Sequence, residues 1–391
     1  MTVSCGNVST IKDSGTQQIR CSMILQRLEH SQHKNDPEHN PWEVRDLIFD
    51  ARVNLIVGRN ATGKTRVMNV LRNCAAQISG KIPRLMTGSW TLTFETFEKA
   101  TFAVYCDIVD GEVREERITR DGEILLSRRG ESGEIKNDHN HETMSYEPPR
   151  NKLTLHVRRD KKEYPYLEDL FDWGDNYYGY MFASRRPSEL LAGPGVEGAP
   201  LESLDSVPHL LKEALEKGVE VEAIVSDMRS VGYPIEKIAV KKLDPLNALI
   251  ITVQEQDIPC EIVQTEISAG MYRALSAVVI LNYLLLQETP CTLAVDDIGE
   301  GLDFERSVNL IKLLLQKTKK SDIQLMLTSN DRHLLNAVDV QSWNILERKG
   351  GKVRAFNYAN SKQTFDDFAM TGLSNFDFLS GRMYKETKAR P

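Results

Sequence analysis

The octapeptide Gly58-Arg59-Asn60-Ala61-Thr62-Gly63-Lys64-Thr65 constrains this chain more than any other stretch. It fits the pattern GxxxxGK[ST]. It stands between a short apolar run, Val53–Val57, and a helical pattern from Gly63 to about Ala76 with Val67, Val70 and Leu71 along one face. Glycines let such a loop wrap until successive backbone N–H groups face one anion, and the helix N-terminus adds its partial positive charge. With Gly at about 7% of average composition, the bare pattern arises by accident in roughly one chain of this length in a hundred. Requiring a strand before it and a helix after it makes chance rarer still. The motif predicts an α/β core in which Lys64 neutralises phosphate charge and the Thr65 hydroxyl ligates magnesium.

More than 200 residues later, Thr292-Leu293-Ala294-Val295-Asp296-Asp297 reads as an apolar strand ending in two carboxylates. Acidic strand ends are common, so this feature alone decides little. Its context adds more: Leu302-Asp303 follows six and seven residues after Asp296, and Ile267-Ser268-Ala269-Gly270-Met271-Tyr272-Arg273 precedes a long apolar helix. Between the two halves, Trp90–Phe94, Phe102–Ile108, Val113–Ile118 and Ile124–Leu126 alternate in polarity. They are broken by Asp110-Gly111 and Asp121-Gly122, both hairpin-turn dipeptides, so an antiparallel sheet is expected there.

This spacing resembles the ABC-type ATPases, in the branch that holds SMC, RecF and OLD proteins. The resemblance covers about 23–98 and 235–345. It implies an α/β ABC-ATPase head with a split P-loop core, an antiparallel β-subdomain and a helical insertion. It further implies that ATP and Mg2+ are held by residues Gly58, Arg59, Asn60, Ala61, Thr62, Gly63, Lys64, Thr65 and Arg66, with Asp296 beside Thr65 on the metal and Asp297 orienting the attacking water. Ser268 and Gly270 would form a signature loop that contacts the nucleotide of a second copy, and Asp303 would lie in the loop crossing that interface. A head-to-head homodimer with two composite sites, open to higher assembly, follows from this resemblance.

Three positions depart from the family pattern. Asp297 stands where a glutamate is expected, one methylene shorter. A water-positioning group contributes about 10²–10⁴-fold and a misplacement of about 1 Å can cost of the order of 100-fold, so slow turnover is expected. Thr328-Ser329-Asn330-Asp331 stands where the family has a Thr-His pair. Ser329 and Asn330 can reach a γ-phosphate but carry no proton that titrates near neutral pH, and His333 is expected on the following helix facing solvent. No glutamine suits the loop that should follow the first helix: Gln77 lies too close to the phosphate loop, and Glu95 is the stand-in.

The 391 residues suit one large α/β domain with an insertion, or two modest domains. Expected divisions are a leader over 1–22, the N-terminal half of the core over 23–127, and a charged loop with a mostly helical insertion over 128–234. The C-terminal half of the core follows over 235–360, then an extension over 361–391 that either docks on a partner or frays. Residues 128–150 read as a mobile loop, Leu153–Val157 as a strand, and Tyr177, Tyr178 and Tyr180 as a patch suited equally to stacking nucleic-acid bases and to a partner interface. The net charge of -7 supplies no basic footprint for nucleic acid. A local one exists at Arg150–Lys162 and Arg185-Arg186, where a solvated face is the favoured reading. Six scattered cysteines point to reduced thiols in a cytoplasm. The longest apolar run, Ala274–Leu286, is too short to cross a membrane.

The leading functional expectation is therefore an ATPase whose head closure controls a separate effector protein or a nucleic-acid process such as phage defence or DNA repair. A nucleotide-gated scaffold, in which binding rather than turnover holds an assembly, is the alternative. A transporter ATPase subunit ranks third because the signature and switch positions diverge.

Overall fold

The computed structural model describes residues 23–33, 40–181, 207–244 and 248–385. The phosphate-loop strand Val53–Val57 lies inside a block of parallel strands in the order Tyr177–Met181, Cys291–Asp296, Ile323–Thr328, Val53–Val57 and Trp343–Lys349. Every residue of Cys291–Asp296 and Ile323–Thr328 is buried, as expected of parallel strands covered on both faces. Alternation divides these strands between two cores. Leu55, Val57, Leu293, Val295, Leu325 and Leu327 join the helix Ala269–Gln287. Ile56, Ala294 and Met326 face the other way, onto the phosphate-loop helix Lys64–Ile78 through Val67, Met68 and Leu71.

The sheet then turns mostly antiparallel. Trp343–Lys349 pairs antiparallel with Lys352–Asn357, which lies parallel to Trp42–Ile48, and from there Met23–Gln32 and the meander that begins at Gly88–Thr96 follow antiparallel. Both residues of each predicted turn take positive φ (Asp110 55°, Gly111 83°; Asp121 50°, Gly122 86°), the backbone twist that joins adjacent strands tightly. The expected loop over 128–150 is instead more sheet. Glu123–Arg129 continues into Ser132–Lys136 and Thr143–Tyr146, because Ile135 and Tyr146 give those polar segments a buried face. Leu153–Val157 is not a strand but contains a single 3-10 turn, Thr154–His156.

The segment read as mostly helical contains a core strand. Tyr177 and Tyr180 are almost wholly buried in Tyr177–Met181, so the tyrosine patch is interior and not a partner surface. Farther along, helices Val207–Glu216 and Val221–Val231 and a three-stranded sheet (Ile235–Leu243, Ala248–Glu255, Ile262–Val263) pack with the helix Ala269–Gln287 in one core. That helix is long and apolar enough to pass for a membrane span, but most of it is buried within the domain.

The extension beyond residue 360 neither frays nor stands free as far as Lys385. Phe365, Phe368, Phe378 and Tyr384 are buried, with Phe368 and Phe378 ring centroids 4.4 Å apart. Asn375 Nδ2 donates to Val338 O (2.9 Å), and Asn336 Oδ1 accepts from Phe376 N–H (3.0 Å). The tail is thus docked on the short helix Arg332–Ala337. The basic run Arg150–Lys162 is largely spent internally: Arg159 forms a fork with Glu168 (2.8 and 2.5 Å), Arg150 meets Glu131 (3.0 Å), and Arg158 lies over the Tyr146 ring. Arg185-Arg186 and the 1–22 leader lie outside the described residues.

Candidate functional site

The phosphate loop is shaped by three backbone positions. A Cβ on Gly58 would meet Thr62 Oγ1 at 2.7 Å and Leu346 O at 2.9 Å, so only glycine lets the loop close onto the neighbouring strand. Ala61 and Gly63 both take left-handed φ (63° and 105°), which turns the chain into the helix. The turn is tied by Thr62, whose N–H and hydroxyl both donate to Arg59 O (3.2 and 2.8 Å), and Arg348 Nη1 donates to Ala61 O (3.3 Å).

The helix that follows has no capping side chain and no acidic residue in its first turn. Its first backbone bond runs from Val67 N–H to Gly63 O (2.9 Å). Among the described residues no backbone acceptor takes the N–H of Lys64, Thr65 or Arg66, and the Thr65 hydroxyl has no partner. Three aligned donors at an uncapped, positively polarised terminus suit a phosphate, and a hydroxyl beside them suits a hard cation. The residues present therefore fit both nucleotide phosphates and magnesium.

Lys64 is almost fully buried, and its ammonium makes one hydrogen bond, to Gly58 O at 3.2 Å. Burial lowers its pKa below the ordinary lysine value, while the nearby Asp297 and Asp296 carboxylates pull the other way. Asp296 is buried at the end of its strand, and its Oδ1 accepts from the Thr328 hydroxyl at 2.6 Å. Asp297 takes a left-handed φ of 52°, and its N–H donates to Thr328 Oγ1 at 2.8 Å. Burial first, and then Asp296, push the Asp297 carboxyl above its usual range. Lys64 holds it down and Glu300 adds a smaller upward push. Lys64, Asp296 and Asp297, which are far apart in sequence, thus form one electrostatic cluster beside the loop.

The segment Thr328-Ser329-Asn330-Asp331 divides its two candidates, Ser329 and Asn330. Asn330 Nδ2 donates to Asn60 Oδ1 at 2.7 Å and so touches the phosphate loop. Ser329 is buried, and its hydroxyl accepts from Asp331 N–H (3.1 Å), an Asx-like turn that starts the next helix. His333 is exposed and packs its ring on Phe304 (5.0 Å), as expected of a residue off the phosphate loop. Arg66 stacks on Trp42 (4.3 Å) and reaches Gln32.

The signature residues sit elsewhere. Ser268 caps the helix Ala269–Gln287 by accepting from Met271 N–H (3.1 Å). A Cβ on Gly270 would lie 2.4 Å from Gly301 O, and Arg273 Nη1 donates to Glu300 O (2.8 Å). Asp303 caps the helix Phe304–Thr318 and pairs with Arg306 (2.9 Å). Among the described residues no hydrogen bond joins Ser268, Gly270 or Asp303 to the phosphate loop of the same chain.

Glu95 is misplaced as a glutamine substitute. It pairs with Lys99 (3.2 Å) and lines a cavity of about 780 Å³ with Cys291 and Gln324. Cys291 is the first residue and Gln324 the second of the strands whose far ends carry Asp296 and Thr328, so Glu95 is at the wrong end of the sheet. Sequence reasoning missed two contributors. Thr328 carries no signal in the sequence that sets it above Ser329 and Asn330. Tyr177–Met181, inside the stretch expected to be mostly helical, runs parallel to the Asp296 strand with Met181 level with Asp296. Its period-free apolar run Tyr-Tyr-Gly-Tyr-Met was the signal available.

No protein-family profile matches the sequence, and no curated protein does. Solved structures do. An SMC head bound to the C-winged helix domain of ScpA aligns at a TM-score of 0.51 and 12% identity, over 85% of this chain and 96% of that one. An SMC head with an extended coiled coil bound to the C-terminal domain of ScpA from Pyrococcus furiosus gives 0.48 and 12%, over 89% and 100%. The SMC head domain from Thermotoga maritima gives 0.46 and 12%, over 85% and 98%. The first of these carries the conclusion: the chain is similar in fold to an SMC head, an ABC-type ATPase fold.

Proposed function

We propose that this protein is an ATPase that binds magnesium-ATP at the 58–66 loop and hydrolyses it slowly between two paired copies. One observation carries the reading. A buried lysine with a single weak hydrogen bond stands beside two carboxylates and three unclaimed helix N–H groups. That arrangement is under-satisfied as it stands, and a triphosphate with its cation would complete it. Magnesium, when bound, neutralises charge on the β- and γ-phosphates. Lys64 and the N–H groups of Lys64, Thr65 and Arg66 hold the phosphates, Thr65 and Asp296 hold the cation, and Asp297 orients water.

Ser268, Gly270 and Asp303 serve the nucleotide of the second copy, a role that rests on the resemblance of the motifs and on Ser268 and Asp303 each capping a helix N-terminus. The effector is a separate protein. The SMC head that aligns at a TM-score of 0.51 was solved bound to the C-winged helix domain of ScpA, and that neighbour supports a separate bound partner here. Phage defence or DNA repair is the context we propose, on the resemblance of the motifs alone.

A second reading, the nucleotide-gated scaffold, is favoured by one contact. The residue that meets the phosphate loop from the switch segment is Asn330, which cannot move a proton. The two readings separate in one experiment: light-scattering mass with magnesium-ATP for wild type, Lys64→Ala and Ser268→Arg, with phosphate release followed in parallel. Pairing of wild type alone is expected. Release above background supports the enzyme, and pairing without release supports the scaffold. Pairing that ignores nucleotide and both variants would sink the composite site.

A further inference from the structure

Thr328 is fully buried at the end of its strand, and its groups are committed to the three residues after Val295. Its hydroxyl accepts from Asp297 N–H (2.8 Å) and lies 2.6 Å from Asp296 Oδ1, while its carbonyl accepts from Ile298 N–H (3.1 Å). The direction of each bond is forced. A backbone N–H can only donate, so the hydroxyl spends a lone pair on Asp297 and its single proton goes to the Asp296 carboxylate.

Two consequences follow. Asp296 has one oxygen tied to Thr328 and the other, Oδ2, without a protein donor among the described residues, so the rotation of the carboxylate is set by Thr328. Asp297 is held at a φ of 52°, a region that a residue other than glycine keeps only where its surroundings fix it. The fixing contact on its own N–H is the same hydroxyl. One side chain thereby orients the Asp296 carboxylate and fixes the backbone from which the Asp297 carboxylate projects.

We propose that Thr328 is the positioning residue of this site: its hydroxyl locks Asp296 and Asp297 into one arrangement, so that its loss impairs metal use and turnover while leaving nucleotide binding through the phosphate loop intact. The proposal rests on the ATPase reading above. It assigns Thr328 no contact with substrate.

The test compares full-length wild type, Thr328→Val and Thr328→Ser. Phosphate release is measured against ATP and Mg2+, and binding of a fluorescent ATP analogue is measured with Mg2+ and with EDTA. Thr328→Val should lower kcat by about 10–100-fold, the scale of a carboxylate misplaced by up to about 1 Å. It should also raise the Mg2+ concentration needed for half-maximal binding several-fold, with analogue affinity in EDTA within about three-fold of wild type. Thr328→Ser should recover most of both.

A Val variant with wild-type kcat and Mg2+ dependence overturns the proposal. If valine lowers Tm by more than a few degrees, the serine variant decides. It keeps the hydroxyl and loses the methyl, so a serine variant as slow as valine shows that packing, not the hydroxyl, matters. Wild type that neither binds the analogue nor releases phosphate removes the ATPase reading, a different failure seen before any variant is made.

Discussion

Two buried charge clusters occupy the same sheet and differ in how completely they are satisfied. In the antiparallel half, Arg128 and Glu116 are both almost wholly buried and 3.4 Å apart. Arg128 also donates to Lys152 O, Pro149 O and Gly130 O (2.7, 2.6 and 2.8 Å). Glu116 accepts from the Thr154 N–H (3.0 Å) and hydroxyl (2.8 Å), and that hydroxyl is also 2.6 Å from Tyr146 OH. Every strong donor and acceptor there has a protein partner, and the cluster pins the 149–154 loop onto the sheet. At the phosphate loop, Lys64 has one bond at 3.2 Å, and the Asp297 carboxylate accepts no hydrogen bond among the described residues. A buried charge left without partners costs stability unless something else completes it. The first cluster is finished by the fold; the second is kept open.

The largest expected effect that tests this contrast is at Lys64. Lys64→Ala should abolish nucleotide-driven pairing and phosphate release while leaving Tm within a few degrees, because the lysine is poorly bonded in the free protein. A large fall in Tm would erase the contrast. Next, Asp297→Asn should slow phosphate release by about 10²–10⁴-fold with binding retained. Unchanged turnover would remove Asp297 from its role. Because burial and Asp296 raise the Asp297 carboxyl, the wild-type rate should fall with decreasing pH at a higher pH than an ordinary carboxylate would give. The acid limb of kcat against pH reads this directly.

At the finished cluster, Arg128→Ala should cost about 3–5 kcal/mol by stranding Glu116, measurable by urea unfolding. Phosphate release measured well below the lowered Tm should be little changed.

The smallest effect concerns His30, buried against Trp42 with ring centroids 5.6 Å apart. Burial first, and then Arg66, lower its pKa from 6.5 to about 4. The unfolded chain therefore binds the proton first as pH falls. Stability is full above pH 6.5 and declines towards about 4, by about 3 kcal/mol at the limit. Replacing His30 with Gln should flatten that part of the stability profile, and an unchanged slope would exclude His30 as its source.

Much of the core could be read without coordinates because its signals are local. An apolar run, a glycine loop and a helical stripe at 53–76 declare themselves within about 25 residues, and Asp-Gly dipeptides fix the hairpins at 110–111 and 121–122. Asp303 and Asp331 could be placed at helix starts for the same reason. The misreadings came where local polarity misled. Residues 128–150 look like a loop because their strands bury only one narrow face. The tyrosines of 177–180 look like a surface patch because aromatic residues serve surfaces and cores alike.

The chain's own order of residues carries the inventory: a glycine loop between strand and helix, an acidic strand end, a glycine-bearing helix start and the order in which they come. Which of these residues meet is settled by the packing of the sheet. Parallel pairing brings the Thr328 hydroxyl between Asp296 and Asp297, 32 and 31 residues away, and Asn330 against Asn60, 270 residues away. It also sends Glu95 to the opposite end of the sheet. The physical reason is that a hydrogen bond needs about 3 Å and the correct direction, and neither is encoded in spacing along the chain. Both are fixed when two cores close on either face of one sheet.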